Sequence, residues 1–372
     1  MKLAIFGLSI SSSWGNGHAT LWRGLCKALH RRGHTIVFFE RDQPYYAQAR
    51  DWDSRRGTEL VLYDDWQTVT ARARQELRTA DAAIVTSYCP DAIDATLMIQ
   101  DAACLAVFYD LDTPVTLTRL QHGERVPYLG RERLAPFDLV LSYTGGVALD
   151  ELRRTLGARR VAPLFGHVDP DVHRRVPSLA AYRADLSWLG TFAADRQAQL
   201  ERLFIAPARA ARSRKFLLGG AQYPQDFPWS ENMHFVQHVP PPAHAAFFCS
   251  SRLTLNVTRA AMAQMGFCPS GRLFEAAACG AALISDTWEG LDEFYTPQSE
   301  LLVAHETADV LTALEMDDAQ LRRIGQRARE RTLDQHTCHH RARELLRLLA
   351  DDASPSLANA AVRACGELPA RT

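Results

Sequence analysis

The sequence predicts an α/β protein with two doubly wound domains in tandem and a long helical segment after the second. Two observations lead to this prediction. Short apolar runs without regular alternation recur between helical stretches, as in parallel sheets that helices cover on both faces. This repetition stops at a stretch rich in proline and glycine, residues 161–177, and then resumes. Ligands of such sheets bind beyond the carboxyl ends of the strands, so we expect the functional residues in a cleft between the domains.

The first predicted domain covers residues 1–165. Its expected strands are residues 3–9, 35–39, 59–63, 82–87, 104–109 and 138–142. Helices are predicted at 19–32, where Gly33 provides a stop, and at 66–80. A linker at 166–178 follows, and its acidic pair, Asp169 and Asp171, is interpreted as hinge structure.

The second predicted domain covers residues 179–318. Its expected strands are residues 186–189, 215–218, 234–236, 253–257, 281–285 and 301–303. Residues 319–350 are predicted to form one long helical segment rich in arginine and leucine. Residues 351–372 are small and polar with two prolines and are predicted to be a flexible tail.

Composition excludes several classes of protein. The 372 residues carry 42 basic and 43 acidic side chains, which argues against a nucleic-acid or anionic-membrane partner. No apolar run approaches the roughly 20 residues of a membrane helix, and the first residues lack a cleavage pattern, so we expect a cytoplasmic protein. The eight cysteines form no Cys-x-x-Cys pair and read as reduced apolar residues. No metal site is predicted, including at residues 338–340, and the oligomeric state stays open.

The segment at residues 269–286 carries the strongest functional signal. Ser270 can cap a helix whose N-terminus favours phosphate, and Arg272 adds a bidentate phosphate donor. Glu275, one turn further on, can accept two ribose hydroxyls. The same spacing also suits a surface ion pair between Arg272 and Glu275. Gly280 is expected to end the helix before a buried strand.

This segment resembles the nucleotide-sugar motif of GT-B glycosyltransferases, a Glu-Ala-x-x-x-Gly helix followed by a strand. Together with residues 109–115, 188–191, 253–259 and 288–294, it makes the chain resemble the CgeB-like, or spore maturation protein-like, branch of those enzymes. The resemblance implies a GT-B fold with two Rossmann-like domains, the acceptor on the first and the donor on the second. It also implies a nucleotide-diphosphate sugar, UDP- or dTDP-linked, as co-substrate, without another cofactor.

The resemblance also assigns donor contacts. Glu275 would hold the ribose, and Arg259 and Arg272 the diphosphate. The loop beneath the diphosphate and sugar would supply Trp288, Glu289, Gly290 and Leu291. The common retaining pattern has a second glutamate eight positions before Glu275, where this chain has Phe267. This departure leaves retention or inversion of the anomeric centre open.

Polar residues that follow strands supply the remaining candidates. Gly15, Asn16 and Gly17 precede His18 after the first strand, where they can approach acceptor or phosphate and His18 can act as general base. The alternative is a flexible loop before a helix. Asp110 and Asp112 can serve as base or orient the acceptor, or they can simply cap a turn.

Two further donor contacts are predicted in the second domain. Gly219 follows a strand, where it either lets the nucleotide approach the backbone or makes a sharp turn. Arg196 either contacts phosphate or is a solvated helix residue.

These features predict a metal-independent glycosyltransferase that moves a sugar to an acceptor hydroxyl or other nucleophile. The first alternative is a nucleotide-sugar epimerase with the same donor site. A dinucleotide-dependent enzyme is a second, because Gly15-x-Gly17 and Glu40 form part of a dinucleotide fingerprint. A sugar-nucleotide sensor without turnover is a third. The acceptor, the sugar and the general base stay open.

Overall fold

The computed structural model of the chain describes residues 1–52 and 57–351. It divides into two units, one containing Met1–Phe165 and the helix that begins at Cys338, the other Gly166–Thr337. Except for Asp351, the predicted flexible tail at 351–372 lies outside the described residues.

The first unit is built on a parallel sheet of seven strands in the order β3-β2-β1-β4-β5-β6-β7. The strands are β1 (Lys2–Gly7), β2 (Thr35–Arg41), β3 (Thr58–Tyr63), β4 (Ala82–Thr86), β5 (Leu105–Asp110), β6 (Leu139–Ser142) and β7 (Val161–Pro163). The helices are α1 (His18–His30), α2 (Pro44–Ala47), α3 (Trp66–Leu77), α4 (Ala92–Gln100), α5 (Thr113–Gln121) and α6 (Val147–Leu156). The six predicted strands are confirmed. The sequence analysis missed β7 because this three-residue edge strand ends in Pro163 and reads as linker.

The second unit has a parallel sheet of six strands in the order β10-β9-β8-β11-β12-β13. The strands are β8 (Ala184–Leu189), β9 (Phe216–Gly220), β10 (Met233–Gln237), β11 (Ser251–Asn256), β12 (Ala282–Ser285) and β13 (Leu302–Val303). The helices are α7 (Gln197–Leu200), α8 (Ala206–Ala210), α9 (Pro241–Ser250), α10 (Ala260–Met265), α11 (Gly271–Ala278), α12 (Leu291–Phe294), α13 (Thr307–Glu315) and α14 (Asp318–Gln335). A π-helical turn, Glu201–Ile205, joins α7 to α8, and 3₁₀ turns lie at Ala180–Tyr182 and Ala194–Arg196. All six strands predicted here are confirmed.

The prediction of a single helical segment at 319–350 is wrong. The chain leaves the helix after α14 at His336, whose ring stacks on Phe274, and a last helix, α15 (Cys338–Ala350), follows. Thr337 pairs with Val168 as an isolated bridge within the second unit. Burial therefore breaks the helix at a point where the sequence has neither glycine nor proline.

The helices on the two sides of this break belong to different cores. Leu321 and Ile324 of α14 pack in the core of the second unit. Leu345 and Leu346 of α15 pack with Leu25 of α1 in the core of the first unit. The end of the chain thus completes the first unit. No helix within residues 1–52 and 57–351 has the length and apolar content to cross a bilayer.

Candidate active site

In both sheets the strand order reverses beside the first strand, between β1 and β4 and between β8 and β11. Loops that leave neighbouring strands in opposite directions open a crevice at this point, and ligands of doubly wound sheets bind there. Each unit therefore has its own candidate site at the carboxyl ends of these strands.

Three predicted arginines of the second unit lie close enough for their charges to interact. Arg196 comes after β8, Arg259 comes directly after β11, and Arg272 lies in the first turn of α11. Burial lowers the pKa of Arg196 to about 10, and the charges of Arg272 and Arg259 act in the same direction. Mutual repulsion of this kind costs free energy unless an anion compensates it.

Few protein groups compensate these charges. Arg259 Nε lies 3.0 Å from the carboxylate of Asp195. The guanidinium of Arg196 lies over the Trp188 ring, 5.3 Å from its centroid. The Nε atoms of Arg196 and Arg272 are buried without a hydrogen-bond partner among the described residues. Buried donors without partners are costly, so the arrangement favours a bound anion. The Nε of Arg196 is buried and its guanidinium lies over Trp188, which favours the interpretation of Arg196 as a phosphate contact over that of a solvated helix residue.

Helix α11 has the ends that the sequence predicts. The Ser270 hydroxyl accepts a hydrogen bond from the backbone N–H of Arg272 at 3.3 Å. Gly280 follows the last turn with a φ of +75°, and a Cβ there would lie 2.6 Å from Nε of Arg175. The helix therefore starts beside the arginines, where its positive end adds to their attraction for phosphate.

Glu275 of α11 faces two histidines that the sequence analysis missed. Its Oε1 lies 3.8 Å from Nε2 of His173, and its Oε2 lies 3.9 Å from Nδ1 of His244. Glu275 is only 7% exposed, which excludes a surface ion pair with Arg272. His173 lies in the segment interpreted as linker, and His244 lies on α9, which carried no motif. A proline run before α9 is the one sequence signal that could have drawn attention to this element.

The loop after β12 is held by buried contacts. Asp286 accepts hydrogen bonds from the backbone N–H and the hydroxyl of Thr258, at 3.0 and 2.9 Å. Burial raises the pKa of Asp286 to about 6. These bonds tie the loop after β12 to the loop after β11, which carries Arg259.

The residues of this loop that are predicted to contact the donor differ in how deeply they are buried. Trp288 and Leu291 are buried in the protein, whereas Glu289 is exposed. Gly290 has a φ of +85°, and a Cβ there would lie 2.4 Å from the Phe267 ring. Phe267 thus packs against Gly290 at the position where the common retaining pattern has a glutamate. If Trp288 and Leu291 contact the donor, they would do so through their backbone atoms, and these contacts stay a prediction.

The glycine at position 219 has a packing reason. It lies within the buried strand β9, next to its last residue, and a Cβ there would lie 2.9 to 3.0 Å from side-chain atoms of Val239, Leu189 and Phe247. The missing side chain therefore makes room for these neighbours. A contact between Gly219 and the donor stays a prediction.

In the first unit, Glu40 fixes the loop after β1. Its carboxylate accepts hydrogen bonds from Ser9 Oγ (2.9 Å), Ile10 N (2.8 Å), Ser11 N (3.0 Å) and Ser11 Oγ (2.6 Å). Both carboxylate oxygens are thus engaged within the protein. This arrangement counts against Glu40 as a ribose ligand and so against the dinucleotide alternative.

Asn16 shapes the same loop. Its amide donates to the carbonyls of Ser9 and Ser12, at 3.1 and 3.3 Å, and its oxygen accepts from the backbone N–H of His18 at 3.1 Å. Gly15 has a φ of +58°, which favours glycine. No atom lies within 4 Å of a Cβ built on Gly17, so the loop is open there. The alternative of a flexible loop is therefore not supported.

His18 begins α1 and lies beside Asp112, which precedes α5. Its Nε2 is 3.9 Å from Asp112 Oδ2. Burial lowers the pKa of His18, and Asp112 acts in the opposite direction. Tyr88, after β4, lies beside both residues: burial and the charge of Asp112 raise the pKa of its hydroxyl, and its ring centroid lies 5.9 Å from that of His18. His18 is therefore neutral near pH 7 and can accept a proton.

The structure brings Asp110 close to this pair but buries it. Asp110 is fully buried, and its Oδ1 accepts a hydrogen bond from the backbone N–H of Asp112 at 3.1 Å. Burial raises its pKa to about 6. Asp110 thus positions Asp112 and is enclosed by the protein. Tyr88 was missed, although it follows a strand at the reversal point, the same rule that selected His18.

Comparison with known proteins bears on the predicted class of enzyme and on the predicted fold. Residues 196–347 match a family described as glycosyl transferase-like. The match agrees with the predicted class of enzyme, a glycosyltransferase. No curated protein sequence matches the chain.

Solved structures match almost the whole chain. A sucrose-phosphate synthase from Thermosynechococcus elongatus has a TM-score of 0.69 at 15% identity, over 94% of this chain and 98% of the other. HepE from Anabaena, solved with UDP-glucose, has a TM-score of 0.67 at 14% identity, over 94% and 100%. The catalytic domain of starch synthase IV from Arabidopsis thaliana, solved with ADP and acarbose, has a TM-score of 0.64 at 11% identity, over 94% and 99%. At these identities the likeness shows the fold, and the predicted GT-B class is confirmed.

Proposed function

We propose that the chain transfers a sugar from a nucleoside-diphosphate sugar to an acceptor nucleophile. The observation that carries the proposal is the cluster of Arg196, Arg259 and Arg272 at the start of α11, with buried guanidinium nitrogens that lack partners among the described residues. In this proposal the arginines hold the diphosphate and Glu275 accepts the ribose hydroxyls.

The nucleotide complexes of the neighbours support this donor class. HepE was solved with UDP-glucose and starch synthase IV with ADP. For this chain we propose a UDP- or dTDP-linked sugar, and membership of the CgeB-like branch is part of the same proposal. The seven cysteines within the described residues are all free thiols, which supports a cytoplasmic location.

The chemistry follows from where charge develops. As the bond between the anomeric carbon and the diphosphate breaks, negative charge grows on the leaving oxygen. Preorganised guanidinium groups and the N-terminus of α11 stabilise this charge without reorganisation at the moment of reaction. Three positive side chains can supply the compensation that a metal ion provides elsewhere, so we propose that transfer needs no metal.

The first unit would provide the base. Neutral His18, oriented by Asp112, takes the proton of the acceptor nucleophile, and the imidazolium that forms is stabilised by the neighbouring carboxylate. A positioned base of this kind contributes roughly 10²–10⁴-fold to rate. Gly15 and Gly17 lie beside His18 and let an acceptor approach the backbone.

Calorimetric titration with UDP, dTDP and ADP tests the donor site. Glu275→Gln removes a charged acceptor of hydrogen bonds worth about 1.5–3 kcal/mol, so the nucleotide affinity should fall about 10- to 150-fold. Glu231→Gln, an exposed residue of the same unit, is the matched control and should bind like the unmodified protein. Equal affinity in Glu275→Gln and the control would remove the ribose assignment.

Incubation with a nucleotide sugar alone separates transfer from isomerisation. A transferase should leave the donor intact or hydrolyse it slowly, and should consume it when a suitable acceptor is added. An isomerised sugar nucleotide in the product mixture would instead identify an epimerase.

A further inference from the structure

Three buried side chains of the second unit converge from separate segments of the chain. His173 lies in the stretch before β8, His244 on α9 and Glu275 on α11. Their exposures are 3, 8 and 7%. Nε2 of His173 and Nδ1 of His244 are 3.3 Å apart, and each lies 3.8 to 3.9 Å from an oxygen of Glu275. One ligand atom from each residue thus points toward a common centre.

These separations suit a tetrahedral metal ion. Zinc bonds of 2.0–2.2 Å to imidazole and carboxylate place neighbouring ligand atoms roughly 3.3–3.5 Å apart. The two nitrogens already have this separation at 3.3 Å. The distances of 3.8 and 3.9 Å are to different oxygens of Glu275, and with one oxygen the three ligand atoms lie within 4.8 Å of one another, so side-chain rotations must bring the carboxylate closer. Two histidines and one glutamate with a fourth position left open are a ligand set typical of zinc.

A hydrogen bond of His244 to the backbone leaves its Nδ1, the nitrogen that faces Glu275, free of a proton. Its Nε2 donates to the carbonyl of Val239 at 3.0 Å, which leaves the lone pair on Nδ1, the atom that faces Glu275. A hydrogen bond of this kind from a ligating imidazole to a backbone carbonyl is the usual second contact of metal-bound histidine.

We propose that His173, His244 and Glu275 form a binding site for a divalent metal of the zinc class. On binding, Nε2 of His173 gives up its contact with His244 and turns its lone pair to the ion, while its proton moves to Nδ1, so that the ring stays a neutral imidazole. One Glu275 oxygen completes the three protein ligands, and the fourth position takes water.

The same carboxylate is the ribose ligand of the proposed function, and one consequence rests on that proposal. Metal and nucleotide would compete for Glu275, so zinc would inhibit a transfer reaction that itself needs no metal. Arg272 sharpens this expectation. It lies one turn before Glu275 on α11, so its charge opposes a cation at the site.

Titration of the full chain with Co²⁺, followed by visible spectroscopy, tests the site directly. We expect one tetrahedral ion per chain, displaced by Zn²⁺. His173→Ala, His244→Ala and Glu275→Gln each remove a ligand and should weaken binding about 100-fold or more. Loss of only a hydrogen-bond partner of a ligand already costs about 10–100-fold in metal affinity. Circular dichroism confirms that each variant is folded, and His244→Asn provides a smaller change if the alanine variant is not.

Two controls exclude other ligands. His305→Ala, an exposed histidine of the same unit, should bind Co²⁺ like the unmodified protein. Cys249→Ser should leave the spectrum unchanged, without the near-ultraviolet charge-transfer band of a thiolate ligand. Unchanged affinity in folded His173→Ala and His244→Ala, or loss of binding in Cys249→Ser, would overturn the proposed site.

Arg272→Gln separates this inference from the proposed function. The substitution should tighten Co²⁺ binding several-fold and weaken binding of UDP. Nucleotide binding by metal-free protein without any Co²⁺ binding would remove the metal site and leave the proposed function intact. Co²⁺ binding without binding of any nucleotide would do the reverse.

Discussion

His18 is the residue at which burial and charge act in opposite directions. Burial lowers its pKa and Asp112 raises it, and the net pKa lies below the usual value of 6.5. If neutral His18 is the base, kcat/KM should be constant at neutral pH and should fall as the pH drops through the lowered pKa of His18. Asp112→Asn removes the raising influence, so the acid limb of the profile should move to lower pH.

The pH profile of kcat/KM is the measurement that checks this, once an acceptor is found. His18→Asn should lower kcat by about 10²–10⁴-fold while UDP affinity is unchanged. Asp110 also titrates near pH 6, and Asp110→Asn shows whether the limb belongs to it. An acid limb that stays in place in Asp112→Asn would argue against His18 as base.

Asp110 gives a separate prediction about stability. Burial raises its folded-state pKa from 3.8 to about 6, so the folded state holds the proton more tightly than the unfolded state. Stability from this group is therefore present at low pH and is lost as the pH rises through about 4 to 6. Asp110→Asn should gain about 2 kcal/mol relative to the unmodified chain between pH 4 and pH 8. Urea titrations at both pH values measure the difference, and the same difference at both would contradict the assignment.

At the scale of single elements, the end of α11 combines two constraints. Gly280 has a φ of +75°, and a Cβ there would lie 2.6 Å from Arg175. Gly33, after α1, has a φ of +82° and nothing within 4 Å of a Cβ. Gly33→Ala should cost about 1–2 kcal/mol for its backbone conformation alone, and Gly280→Ala should cost more. Thermal unfolding of the two variants compares these costs, and equal losses would show that Arg175 moves aside freely.

At the scale of the whole molecule, the last two helices serve different cores. Leu346 of α15 is fully buried in the first unit, and Leu321 of α14 is 3% exposed in the second. Leu346→Ala should therefore destabilise the first unit, and Leu321→Ala the second, each by about 2–5 kcal/mol.

Calorimetry with added nucleotide tells the two units apart. UDP at about 100 times its Kd should stabilise the second unit by about 2.7 kcal/mol. The transition that UDP raises should be the one lowered by Leu321→Ala, and Leu346→Ala should lower the other. If UDP raised only the transition that Leu346→Ala lowers, the nucleotide would bind to the first unit, which would contradict a donor site in the second.

Much of the fold could be predicted because its signals are local. Apolar runs of strand length and the stop at Gly33 depend on neighbouring residues, as do the cap at Ser270 and the left-handed Gly280. Such signals were sufficient for twelve of the thirteen strands found in residues 1–52 and 57–351 and for both ends of α11. The short edge strand β7, which a proline ends, lacks this local signature.

The sequence by itself determined the two doubly wound units, the helix that carries Arg272 and Glu275, and the placement of His18 and Asp112 after strands. Only the tertiary structure decided that Glu275 faces His173 and His244, that Tyr88 lies beside His18 and Asp112, and that helix α14 ends at His336. The physical reason is the same in each case. These contacts join residues far apart in the chain, and their free energy comes from burial and charge, which no local pattern of residues records.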